Sequence, residues 1–78
     1  MRSGVKRKGE LIALGQAVAA QRARMAISQE TLGELSGLHR IYVGSVERGE
    51  RNVSLLNRVS ISGALGITVS ELLKGIDS

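Results

Sequence analysis

Arg40, Ile41, Tyr42 and Ser45 follow one another within six residues and form a set suited to reading the edge of a DNA duplex. A guanidinium such as that of Arg40 can bond both O6 and N7 of guanine, and an apolar side chain such as Ile41 can touch a thymine methyl. A phenol such as Tyr42 can bond a phosphate or a base edge, and a hydroxyl such as Ser45 donates or accepts with little selectivity. Gln29, Arg48, Arg51 and Asn52 flank this set and carry the groups that hold phosphates. Enzyme chemistry has no comparable support. The chain has one histidine and no cysteine, and no carboxylate pair stands at catalytic spacing, so a metal site, a thiolate nucleophile or an acid–base pair is not expected. No cofactor is expected either.

These side chains must be presented by a helix lying in a groove, and the flanking sequence supplies one. Rotated at about 100° per residue, Val43 and Val46 fall on one side of a helix over His39–Arg48. Ile41, Gly44, Ser45 and Arg48 fall on the other, with Arg40 and Tyr42 at the borders. A preceding short helix opens at the N-cap Ser28 and stops at Ser36-Gly37, where glycine can take the left-handed conformation of a helix end. Gly33 is the small residue needed where two such helices cross. Leu32, Leu35 and Leu38 supply the apolar side that holds the pair together.

The rest of the chain reads as helices. Leu11, Leu14, Val18, Ala19 and Met25 recur at helical spacing and predict a helix from about Lys8 to Met25. Residues 1–9, with Arg2, Lys6, Arg7 and Lys8, read as a basic, flexible arm. Ser54 caps a helix over Leu55–Leu65 that Gly66 ends. Thr68 and Glu71 form a capping box that opens a short last helix to about Lys74. Residues 10–75 then make one domain, and 76–78 a tail. The 78 residues allow one all-α domain with a modest core, and the absence of proline and the single aromatic fit small, closely packed helices. Eleven basic against seven acidic residues leave a net charge of +4, which favours polyanionic partners. No apolar run approaches the ~20 residues of a membrane span and no signal-like segment follows the basic start, so the expected location is the cytoplasm.

Ser28-Gln29-Glu30-Thr31-Leu32-Gly33-Glu34-Leu35-Ser36-Gly37-Leu38 and the following His39 to Asn52 resemble the Cro/C1-type (XRE) helix-turn-helix family. Within it, the string from Arg40 to Leu55 is most similar to the controller proteins of restriction–modification systems. The resemblance implies a five-helix, lambda-repressor-like fold and a transcriptional regulator that binds a palindromic double-stranded operator as a homodimer. Contact with RNA polymerase is a further partner it allows. It places Arg40, Ile41, Tyr42 and Ser45 at base-reading positions and Gln29, Arg48 and Asn52 at backbone contacts. It pairs Arg22 with Glu47 in a structural ion pair. It also points to the C-terminal helices, through Leu65, Ile67, Leu72, Leu73 and Ile76, for the dimer interface. His39 stands where the family favours Asp or Thr at the N-cap, Val53 where Pro is common, and Ser60, Ser62 and Gly63 weaken the fourth helix. A phage-type repressor, or an antitoxin that binds a toxin protein and DNA, is the alternative reading.

Overall fold

The computed structural model describes residues 3–74, with side chains from Lys8 onward. Five helices follow in order: α1 (Ser3–Arg24), α2 (Gln29–Ser36), α3 (Arg40–Glu47), α4 (Leu55–Ala64) and α5 (Val69–Leu72). No strand occurs among the described residues. Helix α1 starts at Ser3, well before the Lys8 expected from the apolar stripe, so residues 4–9, read from the sequence as part of a flexible arm, continue the helix. Gly4 and Gly9 each lower helix propensity by about 1 kcal/mol but do not forbid it, and no proline intervenes.

The caps follow from the local sequence. The hydroxyls of Ser28, Ser54 and Thr68 accept the backbone N–H groups of Thr31, Asn57 and Glu71. Glu71 completes the capping box by accepting the Thr68 N–H at 2.9 Å. His39 is a working N-cap despite its unusual type: Nδ1 accepts the Ile41 N–H at 3.0 Å. Gly37 ends α2 at φ 76° and donates its N–H to the Gly33 carbonyl. The end of α1 is less comfortable, because Ala26 takes φ 57°, a left-handed conformation that a Cβ disfavours.

The core is aliphatic and drawn from every helix: Leu14 and Val18 of α1, Leu32 of α2, Val43 and Val46 of α3, Ile61 and Leu65 around α4, and Leu72 of α5. Val53, in the loop before α4, is buried with them, which explains an apolar residue at that position. Two backbone crossings set how closely these helices approach. A Cβ on Gly33 would stand 2.5 Å from the Leu38 carbonyl oxygen. A Cβ on Gly15 would stand 2.3 Å from that of Val46, so α1 lies directly against the end of α3.

Two sequence expectations about the core change. Leu35 is exposed, not buried, because it stands about 200° around α2 from Gly33, which faces α3. Leu65 and Leu72, expected at a dimer interface, are 2% and 3% exposed and belong to the core of the single chain. In so small a domain the last helices are needed to close the core over α1 and α4. Ile67 and Leu73 are half-buried against that core. Ile76 lies outside the described residues.

Candidate nucleic-acid interface

Helix α3 is held from below and behind, which leaves one side free. Val43 and Val46 are fully buried beneath it. At its C-terminal end Glu47 receives a two-pronged ion pair from Arg22 of α1, Nε to Oε2 at 2.7 Å and Nη2 to Oε1 at 3.0 Å. A fork of this kind fixes direction as well as distance. Arg22 also donates to the Ile27 carbonyl at 2.9 Å, which anchors the turn into α2. The hydrogen bond that Arg22 donates to Glu47 is the main cause that pushes the Arg22 pKa above its ordinary value. The side chain of Glu47 is only 8% exposed, so a carboxylate there depends on such a partner. Gln29, the first residue of α2, donates its amide to the same carboxylate at 2.9 Å. One acidic side chain thus joins α1, α2 and α3.

The free side of α3 carries Arg40, Ile41 and Arg48, all exposed, around Gly44. With Gln29 they line a shallow notch between the start of α2 and the face of α3. A Cβ on Gly44 would come within 3.3 Å of both Gln29 Oε1 and Arg48 Nη1, so glycine keeps the notch open. Arg48 is paired with Glu50 at 3.1 Å, both side chains being more than half exposed. This pair raises the Arg48 pKa and lowers that of Glu50, the mutual hydrogen bond being the main cause in each case. Such a pair is weak in water and exchangeable for a stronger anion.

Tyr42 and Ser45 lie on the other flank, and this corrects the expected reading face. Ser45 is 5% exposed: its hydroxyl donates to the Tyr42 carbonyl at 2.7 Å and accepts from Arg51 Nε at 3.1 Å. A side chain so enclosed positions Arg51 and does not present itself to a base. The rotation argument put Ser45 on the open side but could not foresee that the loop after α3 would fold back over it. Tyr42 is half-buried. Its hydroxyl accepts from Asn57 of α4 at 3.1 Å, which leaves its own O–H to donate outward. The Arg51 guanidinium carbon stands 5.4 Å from the ring centroid, within cation–π range. Arg51 and Asn52 are exposed on the loop between α3 and α4. Sequence reasoning missed Asn57, Glu50 and Gly15. Nothing in their types or spacing announces a long-range partner, although Gly15 inside an apolar stripe was a sign of close contact.

Among the described residues no group of three His, Asp or Glu side chains converges as a metal site. No described helix is long and apolar enough to cross a membrane.

A closely crossed helix pair joined by a glycine turn, with the second helix braced from behind and cationic in front, is the architecture of a helix-turn-helix DNA-binding domain. The helix-turn-helix family profile matches residues 18–72, and the chain belongs to that family. It is 55% identical over 47 residues to the control protein C.SmaI of Serratia marcescens, a match spanning 60% of this chain and 56% of that protein. It is 49% identical over 51 residues to the control protein C.MunI of a Mycoplasma species, spanning 65% of this chain and 69% of the other. The chain therefore spans little more than half of the length of the first of these relatives. Its fold is similar to the crystal structure of the restriction–modification controller protein C.AhdI from Aeromonas hydrophila. There the TM-score is 0.80 at 50% identity, over 82% of this chain and 97% of that one.

Proposed function

We propose that this chain is a sequence-specific transcriptional regulator, a controller protein of a restriction–modification system, that binds a palindromic operator as a homodimer in the cytoplasm. The observation that carries the reading is the open face of α3. Arg40, Ile41 and Arg48 surround the Gly44 notch on a helix whose opposite side is fixed by Val43, Val46 and the Arg22–Glu47–Gln29 junction. Set in the major groove, this face brings Arg40 to a guanine and Ile41 to a thymine methyl. Phosphates on either side fall to the N-terminus of α2 with Gln29, to Arg48 after it leaves Glu50, to Arg51 and Asn52, and to the outward O–H of Tyr42. The basic N-terminal segment with Arg2, Lys6, Arg7 and Lys8 is proposed to reach a neighbouring phosphate. The similarity to the control proteins supports the assignment to a restriction–modification system.

The test is selection of bound sites from a random duplex library at a stated salt concentration. A palindrome with half-sites about one helical turn apart is expected. Salt-sensitive binding without sequence preference would overturn the reading. A similarity to the immunity repressor of Bacillus phage phi105, 37% over 60 residues, keeps a phage-type repressor as the second reading. Methyltransferase and endonuclease genes beside this one decide between the two.

A further inference from the structure

The side-chain amide of Gln29 can be turned only one way. Its Nε2 lies 2.9 Å from Glu47 Oε1, and the Glu47 carboxylate, already held by the Arg22 fork, only accepts. Exchanging the amide oxygen for its nitrogen would set oxygen against oxygen. Gln29 Oε1 is thereby fixed as the outward atom, 3.3 Å from the point that a Cβ on Gly44 would occupy. The notch beside α3 therefore holds an acceptor. Arg40, Gly44 and Arg48 follow at helical spacing, so a guanidinium stands at each end of the notch. Arg48 has its Nε turned to Glu50 at 3.1 Å. Ile41, 65% exposed and on the same face, forms an apolar wall.

An acceptor at this place selects what can enter. A phosphate oxygen, guanine O6 or thymine O4 would bring its lone pairs against Oε1 and be repelled. In the major groove the donors are the amino groups of adenine and cytosine, and thymine alone carries a methyl. An A·T pair is thus the one pair that shows both an amino donor and a methyl. We infer that Gln29 is a base-reading residue. Its Oε1 accepts the N6 amino group of an adenine while Ile41 covers the methyl of the paired thymine, so the notch recognises an A·T pair beside the base read by Arg40. This inference rests on the operator-binding reading above. Glu47 is the positioning residue, because its hold on Nε2 is what aims Oε1 outward. Gly44 gives access: a Cβ there would crowd Oε1 and Arg48 Nη1 alike. A phosphate at this end of the motif is left to the backbone N–H groups that open α2 at Gln29.

The test uses the full chain on its library-selected operator, in which each A·T pair of the half-site is altered in turn. Adenine is replaced by 2-aminopurine, which still pairs with thymine but has no amino group on the major-groove edge. Thymine is replaced by uracil, which lacks the methyl. At one pair, 2-aminopurine is expected to weaken the wild type about tenfold, the worth of one hydrogen bond. Uracil at the same pair should weaken it about fourfold, the worth of one methyl group. Gln29→Met should lose the first sensitivity and keep the second, Ile41→Ala the reverse, and Gln29→Met should keep the salt dependence of the wild type. The base analogues act on the unaltered protein, so the test stands even where a variant does not fold. A wild type indifferent to 2-aminopurine at every pair would overturn the inference and leave the operator reading standing. So would a Gln29→Met variant with unchanged base preference and a salt dependence flattened by about one unit, the mark of a lost phosphate contact. Failure to select any site would instead remove the regulator reading itself.

Discussion

Gln29 donates its side-chain amide to Glu47 at 2.9 Å, across the turn that separates α2 from the far end of α3. Because Nε2 is turned to Glu47, Oε1 is left on the side of the Gly44 notch. The angle between the two helices of the motif thus depends on a carboxylate that Arg22 of α1 holds in place from behind.

Removing that carboxylate should be felt in both stability and binding. Glu47→Ala leaves the Arg22 guanidinium and the Gln29 amide without their partner, at an expected cost of about 2–3 kcal/mol, at the lower end for a buried pair because Arg22 keeps some contact with water. A double-mutant cycle with Arg22→Met in urea denaturation checks it. A coupling indistinguishable from zero would show that the fork contributes nothing to holding α3.

Arg40 and Arg51 should respond differently to truncation. Arg40→Ala is expected to weaken the selected operator by about 1–3 kcal/mol and to relax specificity at one base pair of each half-site. Arg51→Ala should weaken all duplexes alike and flatten the salt dependence by about one unit. Repeating the library selection and a salt titration with each variant separates the two. An unchanged base preference in the Arg40 variant would remove it from readout.

Glu50 is expected to restrain binding, since it occupies Arg48 and places a negative charge beside the phosphate path. Glu50→Gln should tighten binding to specific and non-specific duplex alike, by an amount that falls as salt rises. Its effect on folding should be small, because both partners are exposed. The sign with pH follows from the lowered Glu50 pKa. Any stability from the pair is present above the ordinary glutamate range and is lost as pH falls through the depressed value. Melting curves of wild type and variant should therefore converge in acid. Divergence there would mean that Glu50 acts through something other than Arg48.

The backbone makes three further substitutions informative as a set. Gly15→Ala forces a Cβ against the Val46 and Glu47 carbonyls and should cost at least about 2 kcal/mol. Gly63→Ala meets nothing within 4 Å on an exposed stretch of helix and should stabilise by about 0.5–1 kcal/mol. Ala26→Gly relieves a left-handed alanine and should stabilise by a similar amount, about 0.5–1 kcal/mol. Thermal or urea denaturation reads all three. A tolerated Gly15→Ala would mean that α1 and α3 can separate without loss.

Much of this molecule was legible from local rules. Ser28, Ser54 and the Thr68–Glu71 box announced three helix starts, because a cap involves residues only three apart. Gly33, Gly37, Val43 and Val46 defined the helix pair, because the crossing and the turn each demand a residue type at a set offset. The exposure of Arg40 and Ile41 followed from helical rotation once Val43 and Val46 were taken as buried. What rotation could not supply was anything set by a neighbour distant in the chain. The loop carrying Arg51 closes over Ser45 and turns a polar residue inward. Leu65 and Leu72 are spent on the core while Leu55, Leu56 and Val59 remain outside, although all five look alike in sequence. Periodicity assigns residues to faces of a helix. Which face meets protein, water or another chain is decided only when the helices pack, since burial belongs to the assembled domain and not to any one segment.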